Sequence, residues 1–260
     1  MATRVDEVAK GIYRISAFEP EFGISVNQFL IDDELPALIH TGMYSMYEGV
    51  RNAVAEVLDP GRLAYVVCPH FEADECGGMG RFVEEAPDSV LACSEAGMIL
   101  NLSGWDYSGP VRGFRDGDTV ELGEHTLRFL ETPHVHHWDS MMVFEETTES
   151  LFPADLFAQP GEQPPVVSEN LGKAACEMSR EAGIFGAEWP VLKAAERLEE
   201  LSPAWIHPMH GGSFPREAAH YYFHALRNEP FAFDGRLFGR TLPGFPAPDE
   251  METEGRGAVS

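Results

Sequence analysis

One strand and the loop after it constrain this chain more than any other feature. The run "LAYVVC" (63–68) leads straight into "PHFEADECGG", which sets His70, Glu72, Asp74, Glu75 and Cys76 within seven residues. A short apolar, β-branched run of this kind reads as a buried strand. Like charges crowded at its end cost folding free energy unless something of opposite sign compensates them. A metal ion is the simplest compensation, and other segments must then supply the missing ligands.

Three further segments place such groups at strand ends. "TPHVHHWDS" brings His134, His136 and His137 after the strand "TLRFLE"; "LFPADLF" ends a strand at Asp155; "IHPMHGG" places His210 before two glycines. A lone aspartate at a strand end is usually a turn residue, and a lone histidine usually a satisfied polar group. Four such places together point to a metal site. In "HFEAD" the i, i+2, i+4 spacing, read as an extended loop, turns His70, Glu72 and Asp74 the same way.

The surrounding pattern predicts an α/β fold. Strands are expected at 11–18, 25–32, 63–68 and 89–94, with a short strand ending in a turn over 37–42, and helices over 44–59, 77–87 and 95–102. Hairpins follow at 116–133, turning through Gly123, and at 140–155. A Pro-rich loop at 159–168 precedes helices at 173–184, 188–201 and 216–228. Alternating strands and helices with hairpins between them argue for a layered domain, with its site at the carboxyl ends of the strands.

Composition narrows the partners. The 260 residues carry 18 basic and 43 acidic side chains, a net charge of −25, which suits neither nucleic acid nor an anionic membrane. There are three lysines, Lys10, Lys173 and Lys193, a balance that fits either a high-salt cytoplasm or simple solubility. Four cysteines without CxxC spacing give no disulfide framework and fit a reduced, cytoplasmic setting. The N-terminus has no apolar signal region, and no run of 18 apolar residues occurs. With 44% hydrophobic residues the chain suits one globular domain, expected over 1–241, followed by a Pro-, Gly- and acid-rich tail at 242–260.

The order H-x-E-x-D, then H, then D, then H-G resembles the metallo-β-lactamase fold, an αββα four-layer sandwich. Hydrolases of that fold usually begin H-x-H-x-D-H. Glu72, in place of the second histidine, makes the chain similar to the diiron domain of the flavodiiron proteins and related oxygen-binding diiron proteins. The similarity spans about residues 11–227. It implies that His70, Glu72 and His136 hold one iron, that Asp74 and His210 hold the other, and that Asp155 bridges them. His136 keeps Asp139, Ser140 and Met141 in the family's register; His134 is the other choice, and His137 would orient a ligand. The donor chemistry agrees, because added carboxylates favour iron or manganese over zinc.

Two positions depart from the pattern. Glu75 stands where a histidine is usual, and it either coordinates the second metal, hydrogen-bonds a bound water or faces the surface. His40, in "ALIHTG", stands where an aspartate is common and is expected to be buried in support of the ligand loop. Cys68, Cys76, Cys93 and Cys176 are expected as packing residues, and His125, His220 and His224 as structural. Trp138, Phe157 and Tyr221 are candidates to wall the pocket.

The implied function is binding or reduction of O2 or NO at two iron ions. No flavodoxin domain is read after Arg227, so electrons would come from a separate donor, or the protein would act as an oxygen sensor. A homodimer fits the family. The alternatives are a zinc or manganese hydrolase, with residues 159–168 as a substrate lid, and a diiron oxygenase acting on a small organic molecule.

Overall fold

The computed structural model describes residues 3–105 and 107–245. The first sheet holds β1 (Thr3–Ala9), β2 (Ile12–Glu19), β3 (Ile24–Ile31), β4 (Ala37–Ile39), β5 (Tyr65–Val67), β6 (Val90–Ser94) and β7 (Val111–Phe114), side by side in chain order. β1 to β4 pair antiparallel, and β4 to β7 pair parallel. The parallel crossovers are made by α1 (Tyr47–Val57), by α2 (Ala73–Cys76) with α3 (Met79–Glu85), and by α4 (Glu95–Leu100).

The second sheet holds β8 (Thr119–Glu121), β9 (Thr126–Glu131), β10 (Met141–Glu145), β11 (Ser150–Phe152), β12 (Trp205–Ile206) and β13 (Phe214–Pro215), with β13 at one edge and β8 at the other. α5 (Gly172–Ala182) and α6 (Glu188–Leu201) connect β11 to β12. α7 (Arg216–Asn228) follows, and the hairpin of β14 (Arg236–Leu237) and β15 (Arg240–Thr241) comes last.

Three apolar interfaces separate four layers. Between the sheets, Phe29, Val67, Ala92 and Phe114 meet Phe129, Val143 and Phe152. Outside the first sheet, Val50, Val54 and Phe82 from α1 and α3 cover Leu30, Val66 and Leu91. Outside the second, α5–α7 cover Met142, Leu151 and Ile206. Neighbours such as Val66 and Val67 point to opposite interfaces, so β5 is buried on both faces and reads as a continuous apolar run. Phe129→Ala would remove a ring stacked on Phe114 at 3.9 Å and cost about 3–5 kcal/mol. The expected αββα sandwich is the observed architecture.

Some expectations change. β1, β7 and the β14–β15 hairpin were not anticipated. "TRVDEVA" and "VRGF" are largely uncovered edge strands, where charged side chains are tolerated and alternation is weak. Residues 159–168 form a pinned strap rather than a lid. The Gln159 side chain binds Gly212 N and O at 3.0 Å, and Gly161 and Val166 bridge to Ile24 and Ser213. Of the anticipated tail, residues 242–245 include Phe245, whose ring lies 5.3 Å from that of Phe233; residues 246–260 lie outside those described. Among the described residues no helix is long and apolar enough to cross a membrane.

Candidate metal centre

Strand direction gathers the ligand loops. β4 and β5 are parallel, with Ile39 beside Val67, so the loops bearing His40 and His70 leave the first sheet together. In the second sheet β9 and β11 are both antiparallel to β10, and β12 is parallel to β11. Their carboxyl ends therefore share one edge and deliver His136, Asp155 and His210 there.

The Asp155 carboxylate sits at the middle of the cluster and is almost wholly buried. Its Oδ2 lies 3.2 Å from His70 Nε2 and 3.1 Å from His136 Nε2, while its Oδ1 lies 3.0 Å from His210 Nε2. Glu72 Oε2 lies 3.0 Å from His136 Nε2 and 3.5 Å from His70 Nε2. Asp74 Oδ2 lies 3.4 Å from His210 Nε2. Donor atoms held at about 2.1 Å from one ion stand about 3.0–3.4 Å apart. The cluster thus fits two adjacent ions, and the chemistry of its donor set, three imidazoles and three carboxylates, suits iron or manganese. The Glu72 side chain is 43% exposed against 7% for Asp155, so the cluster opens to solvent on the Glu72 side.

Electrostatics fix the charge state before any ion binds. Hydrogen bonds from His136 and His70 hold Glu72 down at about 2, against its burial. Burial opposes charge on His136, yet Asp155 and Glu72 raise it to about 9. Burial likewise opposes charge on His70 and His210, but Glu75, Asp155 and Glu72 lift the first, and Asp155 and Asp74 the second, well above the usual imidazole value. Burial would raise Asp155, but the three histidines hold it well below the usual carboxylate range. Protons on these rings do the compensating work that a cation would do, and a bound metal displaces them.

The ligand loop differs from the expected extended one. Glu72 is extended, but Ala73–Cys76 forms a single helical turn. The turn closes tightly: a Cβ at Gly77 would stand 2.3 Å from Ala73 O. Successive residues in a helix diverge by about 100°, so Asp74 faces His210 while Glu75 is fully buried against His40 and the far side of the His70 ring. Glu75 is therefore not at the surface, and its carboxylate lies with His70 and Asp155 in a buried group whose donor atoms are all within 4.8 Å of one another.

Of the three neighbouring histidines, His136 reaches the cluster. His134 is exposed, with φ +67°, and its amide donates to His137 O at 2.7 Å. His137 lies at the margin, 3.7 Å from Glu72 Oε2 and 3.6 Å from Asp139 Oδ1. Trp138 is exposed beside it, whereas Phe157 and Tyr221 pack with the helices of the second sheet. His125 is buried against Glu145 at 3.2 Å, and the four cysteines are buried and free.

The supports of His210 were not legible in the sequence. His210 Nδ1 donates to Ser25 O at 2.8 Å, leaving Nε2 to the cluster. Asn27 Nδ2 binds Pro208 O and Gly211 O, and buried Arg14 also donates to Gly211 O at 2.8 Å. Gly211 has φ +107°, and a Cβ there would lie 2.6 Å from Gln159 Cβ, so this turn requires glycine. Backbone carbonyls carry no sequence signal; the paired glycines were the one visible hint.

Comparison with known proteins bears on the family and the fold. The chain is 30% identical over 200 residues to the rubredoxin-oxygen oxidoreductase of Megalodesulfovibrio gigas, covering 74% of this chain and 50% of that one. It is 30% identical over 146 residues to the nitric oxide reductase of Moorella thermoacetica, covering 55% and 36%. The chain thus spans half or less of these relatives' lengths. Among solved structures, the rubredoxin oxygen:oxidoreductase of Desulfovibrio gigas superposes with a TM-score of 0.78 at 24% identity, over 86% of this chain and 60% of that one. The flavodiiron protein of Giardia intestinalis gives 0.76 at 21%, over 87% and 59%. Residues 24–211, most of the chain, match the family described as "ODP family beta lactamase". The chain belongs to the ODP family of beta lactamases.

Proposed function

We propose that this chain is a non-haem diiron protein that binds and reduces O2 or NO, with electrons delivered by a separate donor. The observation that carries the proposal is Asp155, whose two oxygens face different histidines: Oδ2 faces His70 and His136, and Oδ1 faces His210. One carboxylate is thus placed to serve two ions. In this reading His70, Glu72 and His136 hold one iron, Asp74 and His210 the other, and residues 1–241 form the unit that carries them. Two ferrous ions held by these residues would supply two-electron reducing chemistry for a small molecule.

The protein's own groups shape that chemistry. The exposed side of Glu72 is the entrance for a small molecule, and the buried Asp155 closes the floor. His137, 3.7 Å from Glu72 Oε2, steadies that carboxylate at the opening. Relatives named rubredoxin-oxygen oxidoreductase and nitric oxide reductase support both the substrate class and an external donor.

The test is gas uptake. The full chain, reconstituted with ferrous iron without air, is supplied with reduced rubredoxin and then with O2 or NO. Sustained, iron-dependent consumption that Asp155→Ala abolishes is the expected result. A single uptake of O2 without turnover would indicate a sensor. No uptake, together with ester or phosphodiester hydrolysis by the zinc form, would overturn the proposal.

A further inference from the structure

Behind the ligand loop lies a buried acid–base pair that the metal assignment leaves unused. His40 and Glu75 are both fully buried, and His40 Nδ1 contacts Glu75 Oε2. The backbone ties the same two segments together. Thr41 N donates to Glu75 O at 2.7 Å, and Gly78 N donates to Thr41 Oγ1 at 3.1 Å. His40 itself has φ +63°, a left-handed conformation costly for a residue with a Cβ. It is held there between its amide bond to Val67 O at 2.9 Å and the Glu75 contact.

The other Glu75 oxygen, Oε1, lies 3.7 Å from His70 Nδ1, and neither atom has a hydrogen-bond partner. Two unpartnered buried polar atoms that face each other are complementary as a donor and an acceptor. A closer approach of about 0.8 Å would give an ordinary N–H···O bond. His40 Nε2 has no partner, which suits a ring whose donated proton is on Nδ1. His40 and Glu75 are also the two positions at which the sequence departs from the pattern it resembles. At this contact the chain has a base where the resembled pattern has an acid, and an acid where it has a base.

We infer that His40 and Glu75 form a positioning pair for His70. His40 holds the Glu75 carboxylate; its free oxygen accepts the Nδ1 proton of His70, which leaves the Nε2 lone pair facing Asp155 and Glu72. Carboxylates placed this way behind a metal-binding histidine fix its tautomer and ring orientation. Glu75 is then a positioning residue and not a ligand. The inference rests on the reading of His70 as a ligand.

The test uses the full chain with three readouts: metal affinity by chelator competition, the number of metal ligands by X-ray absorption, and unfolding temperature without metal. Glu75→Gln is expected to keep the ligand number while affinity falls about 10–100-fold. His40→Asp and Glu75→His each place like groups in contact, so each should lower the unfolding temperature; the double variant, with acid and base exchanged, should recover most of both losses. A lost oxygen ligand in Glu75→Gln would make Glu75 a ligand and overturn the inference. Additive losses in the double variant, with two metals still bound by the wild type, would overturn the pairing alone. A wild-type chain that binds no metal would overturn the diiron reading and the positioning role together.

Discussion

His207 and His210 lie three residues apart in one turn, both buried, and their surroundings drive them in opposite directions. His207 sits between two neutral hydroxyls, Ser213 Oγ at 2.8 Å and Ser150 Oγ at 3.1 Å, with the Phe152 ring stacked at 5.0 Å. Burial there lowers its pKa to about 3, so it stays uncharged. His210 is buried too, but Asp155 and Asp74 face its Nε2 and raise it well above the usual value. Burial alone therefore does not mark a functional histidine. What marks it is the charge of the groups that its free nitrogen meets.

The largest expected effect lies on the carboxylate side of this comparison. Asp155→Ala should lose both metals, because its two oxygens face different histidines; metal analysis after gel filtration reads this directly, and retention of one metal per chain would contradict the bridging role. His210→Ala should keep one. His207→Ala should leave the metal count of the folded protein unchanged but cost about 2–4 kcal/mol in denaturant unfolding, through a cavity and two unpaired hydroxyls.

The same contrast predicts a pH profile for the metal-free protein. His136 has a folded pKa of about 9 against 6.5 unfolded, so its contribution is full below about pH 6.5 and lost as pH rises through about 9. His207 has a folded pKa of about 3, so its contribution is present above about pH 6.5 and lost as pH falls through about 3. Thermal unfolding across this range should show a maximum with two falling limbs. Bound metal should remove the alkaline limb, because it takes the place of the ring protons. A flat profile between about pH 6.5 and pH 9 without metal would argue against the raised histidines.

The smallest expected effect is on metal choice. Glu72→His exchanges a hard carboxylate for an imidazole and should shift iron–zinc competition several-fold toward zinc. An unchanged ratio would mean that the remaining carboxylates set the preference.

Sequence reading reached those parts of the centre that announce themselves at strand ends. His70, Glu72, Asp74, His136, Asp155 and His210 each follow a strand, and the fold brings these six together. It missed what has no periodicity. The turn Ala73–Cys76 is too short to show a helical repeat, and it decides that Asp74 and Glu75 face different ways. β1 was hidden because an edge strand such as "TRVDEVA" need not alternate. The carbonyl of Ser25, which orients His210, would be the same from any residue. His207 and His210 share one quoted segment, and only their three-dimensional neighbours tell them apart.

The most direct test of the central claim is the metal content of the full chain purified without air, followed by its visible spectrum when air is admitted. Two irons per chain and a new absorption on exposure to air are the expected result. Two zincs per chain and no colour would contradict a diiron centre and favour a hydrolase on the same scaffold.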